Sequence, residues 1–211
     1  FYVPPLAAVG NSLRIALMTT GLALILGLLT ALALFRRQRG WLLDALFMLP
    51  LGTSAVTLGL GYLLALDRPP LDLRGTLLLI VMAHTLVALP FVIRSVLPAL
   101  QAIRPELREA AALLGASPTR VVREVDLPIA WRAMAVGAVF AFTISMGEFG
   151  ATSMIARPEL PTIPIAIYRF LSRPGALNYG QALAMATILM LVCVVGFVVI
   201  ERIRPPGAQA F

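Results

Sequence analysis

The sequence predicts an all-α integral membrane protein of about five transmembrane helices, with a cytoplasmic loop between the third and the fourth. Three observations carry this reading. Of the 211 residues, 60% are hydrophobic and only 13% charged, and the mean hydropathy of +0.93 lies outside the range of soluble globular domains. Apolar runs of about 20 residues, enough to cross a hydrocarbon core as helix at about 1.5 Å per residue, recur along the whole chain. These runs lack the polar/apolar alternation of outer-membrane strands.

The expected spans run from about 13 to 35, 46 to 66, 76 to 97, 133 to 155 and 182 to 200. Residues 1–211 then form one transmembrane domain, with a loop at 98–132 inside it. The chain begins at Phe1 rather than Met, so an upstream portion is expected to be missing. The first apolar run is too long for a cleavable signal peptide and is followed by a basic cluster, so it reads as a retained span.

The net charge is +7 and every basic residue is arginine. The arginines lie in short loops between spans rather than on one soluble face, which argues for membrane orientation and lipid headgroups and against a nucleic-acid partner. Placing Arg36, Arg37, Arg39, Arg104, Arg108, Arg120, Arg123, Arg132, Arg202 and Arg204 on one side gives ten. The other side then holds six, with Arg94 ambiguous. The richer side is predicted cytoplasmic, with the N-terminus outside and the C-terminus inside. Trp41 and Trp131, each starting an outward-going span, fit an interfacial belt on that side. Cys193 stands alone and cannot form an intrachain disulfide. With a single His84 no metal cluster is expected, and packing is the expected role of both.

The first span ends in the basic turn FRRQRG. In the second, MLPLGTSAVTLGLGYLL, Ala55 with Gly59 and Thr57 with Gly61 are four apart, the spacing that lets helix backbones approach closely in lipid. Close packing and contact with a solute both fit. DRPPLDLRG is an external turn. The third span carries His84 and Thr85 mid-membrane, and Pro90, where a kink is expected.

The loop at 98–132 has its own structure. Pro105 suits a first helical turn, Leu107, Ala111 and Leu114 recur on one face, and Glu106 and Glu109 come early, where the helix dipole favours them. Gly115 stands where a C-terminal cap belongs. Ser117-Pro118 is a fresh start signal, and Pro128 is expected to end the second helix. Two short helices meeting at a glycine corner, tethered at both ends to the membrane, present a rigid knob. They do not suit a groove-reading DNA motif.

Within this loop, Glu109-Ala110-Ala111, three residues, Gly115, nine residues, Val125, one residue and Leu127-Pro128 resembles the cytoplasmic signature of ABC importer permeases served by a binding protein. The family has Ile more often where this chain has Val125. The resemblance covers essentially the whole chain. It implies that the loop forms coupling helices docking on a cytoplasmic ABC ATPase dimer, which binds ATP and Mg, while this chain binds no cofactor. Glu109 would face the ATPase, Ala110 and Ala111 would allow close packing, Gly115 would make the corner, and Pro128 would set the return to the membrane. An extracytoplasmic solute-binding protein, and a second permease half or second copy, are the other implied partners.

A carboxylate inside a span is costly, so Glu148 in SMGEFGAT is expected to line a watery path or to be satisfied by hydrogen bonds. It lies about 25 Å along the helix from Trp131, in the outer half. Gly147 and Gly150 flank it and suit a gate or a close crossing. After it comes a Pro-rich external segment in which PIAIYRFL could lie along the membrane surface. Together with GEFGAT this segment resembles ferric iron and thiamine permeases most, and molybdate and sulfate permeases next.

Two functions of other classes compete. A membrane hydrolase lacks HExxH, GxSxG and any second His. An ion-coupled secondary transporter would carry more intramembrane charges and inverted repeats. The chain has no GxxxxGK[ST] phosphate loop, so the importer reading needs a separate ATPase.

Overall fold

A computed structural model describes residues 5–36, 41–66, 73, 76–155 and 160–203. Residues 1–4, the basic turn at 37–40, the link at 67–72 and 74–75, and residues 156–159 and 204–211 lie outside the described residues, as do the side chains of Trp41, Ile200 and Ile203. Every described element is helical: α1 (Pro5–Arg36), α2 (Trp41–Met48), α3 (Ala55–Ala65), α4 (Leu77–Gln101), α5 (Pro105–Leu113), α6 (Pro118–Val121), α7 (Leu127–Gly147), α8 (Gly150–Ile155), α9 (Ile163–Leu171) and α10 (Ala176–Ile203). Four stretches are long and apolar enough to cross a membrane, or five if the bent pair α2/α3 counts as one span.

α4 is the hub, packed between α1 and α7, which also touch each other. Its buried residues lie on more than one side, among them Leu79, Ile80, Ala83, His84, Ala88, Val92, Ile93 and Val96. α1 supplies a stripe of small residues, Ala8, Ser12, Ala16, Thr19, Ala23, Gly27 and Ala31, which lets it lie close against its neighbours. The outer faces of α1 and α10 stay apolar, with Leu17, Ile25, Leu29, Val195 and Phe197 exposed, as a lipid-facing surface requires.

Several expectations are corrected. The second span is not one helix: Leu42–Gly52 and Ala55–Ala65 meet at 102°. Pro50 sits in a 3-10 turn, Leu49–Gly52, after which Thr53 and Ser54 are extended, so the helical hydrogen-bond ladder stops for two residues. The fourth span likewise breaks at Glu148, whose backbone is extended, before α8 resumes. Pro128 does not end the second loop helix. It lies in the first turn of α7, and residues from Pro118 to Gly147 run on as one helical stretch. The turn before it, Val122–Asp126, is wound as a π-helix, with Leu127 N–H donating to the Val122 carbonyl. That wider winding makes room for a ring that would otherwise strike the carbonyl four residues back.

α4 continues through Pro90 and Pro98, and α10 starts at Ala176, earlier than its apolar run suggested. The amphipathic segment α9 turns its apolar face into the protein rather than onto a membrane surface. Ile163, Ile165, Ala166 and Phe170 are buried, and α9 packs on α10, α1 and α7. Its start is pinned to α1 by Ile163 N–H to Ser12 Oγ at 2.8 Å and by Asn11 Nδ2 to the Pro161 carbonyl at 3.1 Å.

Candidate functional site

Two regions collect the polar groups that the apolar helices leave out. The first is the loop between α4 and α7. α5 ends in a paired cap: Ala116 N–H reaches the Ala111 carbonyl at 3.0 Å and Gly115 N–H the Ala112 carbonyl at 2.9 Å. This closure needs a left-handed residue, and Gly115 has φ +84°. Ser117 Oγ then accepts the Arg120 N–H at 3.4 Å to open α6, with Pro118 in its first turn.

The loop residues singled out from the sequence fall into two groups. Glu109, Ala110 and Gly115 are exposed at the tip, with Ala111 half-buried behind them. Val125 packs at the base among Leu100, Ile103 and Ala130, while Leu127 and Pro128 open α7, half-buried and exposed respectively. The amphipathic face is inverted relative to a membrane-lying helix. Leu113 is 89% exposed and Leu114 90%, and no residue of α5 is buried. Sequence reasoning passed over Arg108 and Asp126, whose side chains meet under this tip with Nε to Oδ1 at 2.8 Å. A carboxylate at the mouth of an apolar helix does ask for a cation, but nothing local names a partner so far along the chain.

The second region is the break between α7 and α8. The Glu148 carboxylate turns back over the new helix start: Oε1 accepts Ala151 N–H at 2.8 Å, and Oε2 accepts Thr152 N–H at 3.0 Å and the Thr152 hydroxyl at 2.6 Å. Because that hydroxyl has one hydrogen and spends it on the carboxylate, it accepts from His84 Nε2–H at 2.7 Å. His84 Nδ1 is then the acceptor for the Ser145 hydroxyl, also at 2.7 Å. Ser145, His84, Thr152 and Glu148 thus form one directed chain, all four buried, that ties α4 to α7 and α8. His84 is a linker rather than mere packing, and no group of metal-binding side chains occurs among the described residues.

The same break is where the two interrupted spans cross. A Cβ on Gly59 would lie 2.7 Å from Ala151 Cα, and one on Gly150 would lie 2.9 Å from Ala55 Cβ. The Ala55/Gly59 spacing therefore serves this crossing of α3 and α8. Gly61, by contrast, and Gly147, the last residue of α7, face open space.

Comparison with known proteins places this architecture. The family model described as "Binding-protein-dependent transport system inner membrane component" matches residues 23–205. A Salmonella typhimurium protein, assigned by its name to 2-aminoethylphosphonate transport as the permease PhnV, is 34% identical over 197 residues, covering 91% of this chain and 72% of its own. The spermidine/putrescine transport system permease protein PotC of Escherichia coli is 29% identical over 208 residues, 96% of this chain and 76% of its own. In structure, the chain resembles an inward-facing MetNI methionine ABC transporter with TM-score 0.74 at 18% identity, covering 94% of this chain and 95% of the other. It also resembles a bacterial alginate ABC transporter with TM-score 0.69 at 19% identity, covering 94% and 76%. Ferric iron and thiamine, expected from the Pro-rich external segment together with GEFGAT, are not the solutes these relatives name. In the structure the GEFGAT stretch makes a helix cap and a helix crossing.

Proposed function

The chain belongs to the family of binding-protein-dependent transport system inner membrane components, and from that premise we propose that its 98–132 loop couples a cytoplasmic ATPase to the transport of a small alkylammonium solute. The chain is a permease subunit of an ABC importer, a transport component rather than an enzyme. Its partners in this reading are an ABC ATPase dimer, carrying ATP and Mg, an extracytoplasmic solute-binding protein, and a second permease half or second copy. The N-terminus lies outside and the C-terminus in the cytoplasm.

The observation that carries the coupling role is the loop tip. Leucines held nearly fully in solvent on a tightly capped, doubly tethered helix make an incomplete surface, and a packed partner completes it. Glu109, Ala110, Ala111 and Gly115 form the docking side, and Val125, Leu127 and Pro128 the base that returns the motion to α7. The solute class rests on the named relatives, since an aminophosphonate and polyamines share an ammonium group on a short alkyl chain. Glu148, with Gly147 and Gly150, is the fixed joint that holds the two broken spans in register beside the outer half of the path. The helix ends there, and Gly147 has free space beside it.

The test is a mild-detergent pull-down of the tagged chain from its native membranes, beside a Glu109→Arg variant. A Walker-motif ATPase should copurify with the wild type and be several-fold depleted with the variant. A stable complex without any ATPase would defeat the reading and favour a secondary transporter.

A further inference from the structure

Since no residue of α5 is buried, something other than apolar packing must fix it to the spans. Arg108 does so. Besides its 2.8 Å bond to Asp126, its Nη2 donates to the Leu100 carbonyl at 2.8 Å and its Nη1 to the Ile103 carbonyl at 3.2 Å. Its guanidinium lies 4.4 Å from the centre of the Phe35 ring. Phe35 is in the last turn of α1, Leu100 is in the last turn of α4 with Ile103 two residues beyond its end, and Asp126 is in the π-turn that leads into α7. One planar cation thus holds the cytoplasmic ends of the three helices that form the core.

The chemistry is specific to arginine. The free carbonyls at the end of α4 carry the negative end of its dipole and need donors. The Asp126 side chain, 5% exposed, needs a cation, and the ring needs a flat partner. A lysine ammonium cannot meet three acceptors in one plane and stack as well.

We propose that Arg108 is a positioning residue that converts displacement of α5 into a joint displacement of α1, α4 and α7. This rests on the coupling role of the loop. With Arg108 in place the tip and the three spans move as one body. Without it, the tip still docks while the spans lag.

The test uses the complete transporter, purified with its ATPase and binding protein, in a Cys193→Ser background. An environment-sensitive thiol fluorophore is placed in separate preparations at Ala112→Cys, exposed on α5, or at Leu171→Cys, exposed on α9 at the opposite end of the bundle. ATP with vanadate is the trigger. The parent should respond at both sites. Arg108→Lys, and the milder Asp126→Asn, which keeps an acceptor oxygen, should keep most of the tip response and lose the Leu171 response several-fold. A Leu171 response equal to the parent's would overturn the proposal. So would loss of both responses in both variants, which would make Arg108 a determinant of docking or folding only. A parent silent at the tip would instead reject the coupling role itself.

Discussion

The loop at 98–132 and the joint at 145–155 both interrupt apolar helix, and they handle the interruption in opposite ways. The joint closes on itself. Every polar side chain it buries has a partner inside it, from Ser145 through His84 and Thr152 to Glu148. The loop turns its cation and carboxylate inward, Arg108 onto Asp126, and leaves Leu113 and Leu114 in solvent. A self-satisfied polar cluster is built to hold a shape, whereas an unsatisfied apolar tip is built to be covered. The comparison separates a device that keeps two broken spans in register from one that, in the proposed reading, receives force.

That contrast can be broken most sharply at Gly115. A valine there meets no neighbour, since nothing lies within 4 Å of the added Cβ, but it must adopt φ +84° at a cost of about 1–2 kcal/mol. Gly115→Val should lower uptake about five- to thirtyfold, with about 1.36 kcal/mol per tenfold as the scale. Membrane insertion and expression should match the wild type. Uptake assays beside quantitative membrane blots decide it, and unchanged uptake would remove the corner from the coupling path.

At the joint the expected effect is on stability first. Glu148→Ala strips two N–H donors and one hydroxyl of their acceptor in a buried site, a loss of about 1–3 kcal/mol for each group left unpaired. Glu148→Gln keeps one acceptor oxygen and should cost less. Thermal melting of the detergent-solubilised protein should rank wild type above Gln above Ala. If uptake falls with Gln while melting does not, the carboxylate serves the path as well as the cap. If neither moves, the path role fails. The smallest effect is expected from Leu114→Ser, which should leave melting unchanged and weaken ATPase capture by a few-fold.

Much of the architecture was legible because lipid permits few solutions: long apolar runs at α1, α4, α7 and α10 had to be helices. The capped corner was legible too, since Pro105, Gly115, Ser117 and Pro118 act through local backbone geometry. Other features escaped for physical reasons. The break after Pro50 and the break at Glu148 lie inside strongly apolar stretches, where hydropathy reports length and not continuity, whereas the charged π-turn before Pro128 escaped because proline in a helix usually marks its end. His84 and Arg108 owe their roles to partners far away in the chain, so the first looked like a lone residue and the second like one more orienting charge. The amphipathicity of α9 announced a buried face without saying whether lipid or protein would take it.

The central claim is that the tip around Leu113 meets an ATPase whose cycle moves it. A thiol crosslink from Leu113→Cys in the Cys193→Ser background, in the complete transporter, tests this directly. The account predicts an adduct with the ATPase subunit whose yield differs between nucleotide-free and ATP-vanadate states. An ATPase that copurifies yet gives no adduct, or gives one indifferent to nucleotide, would contradict it.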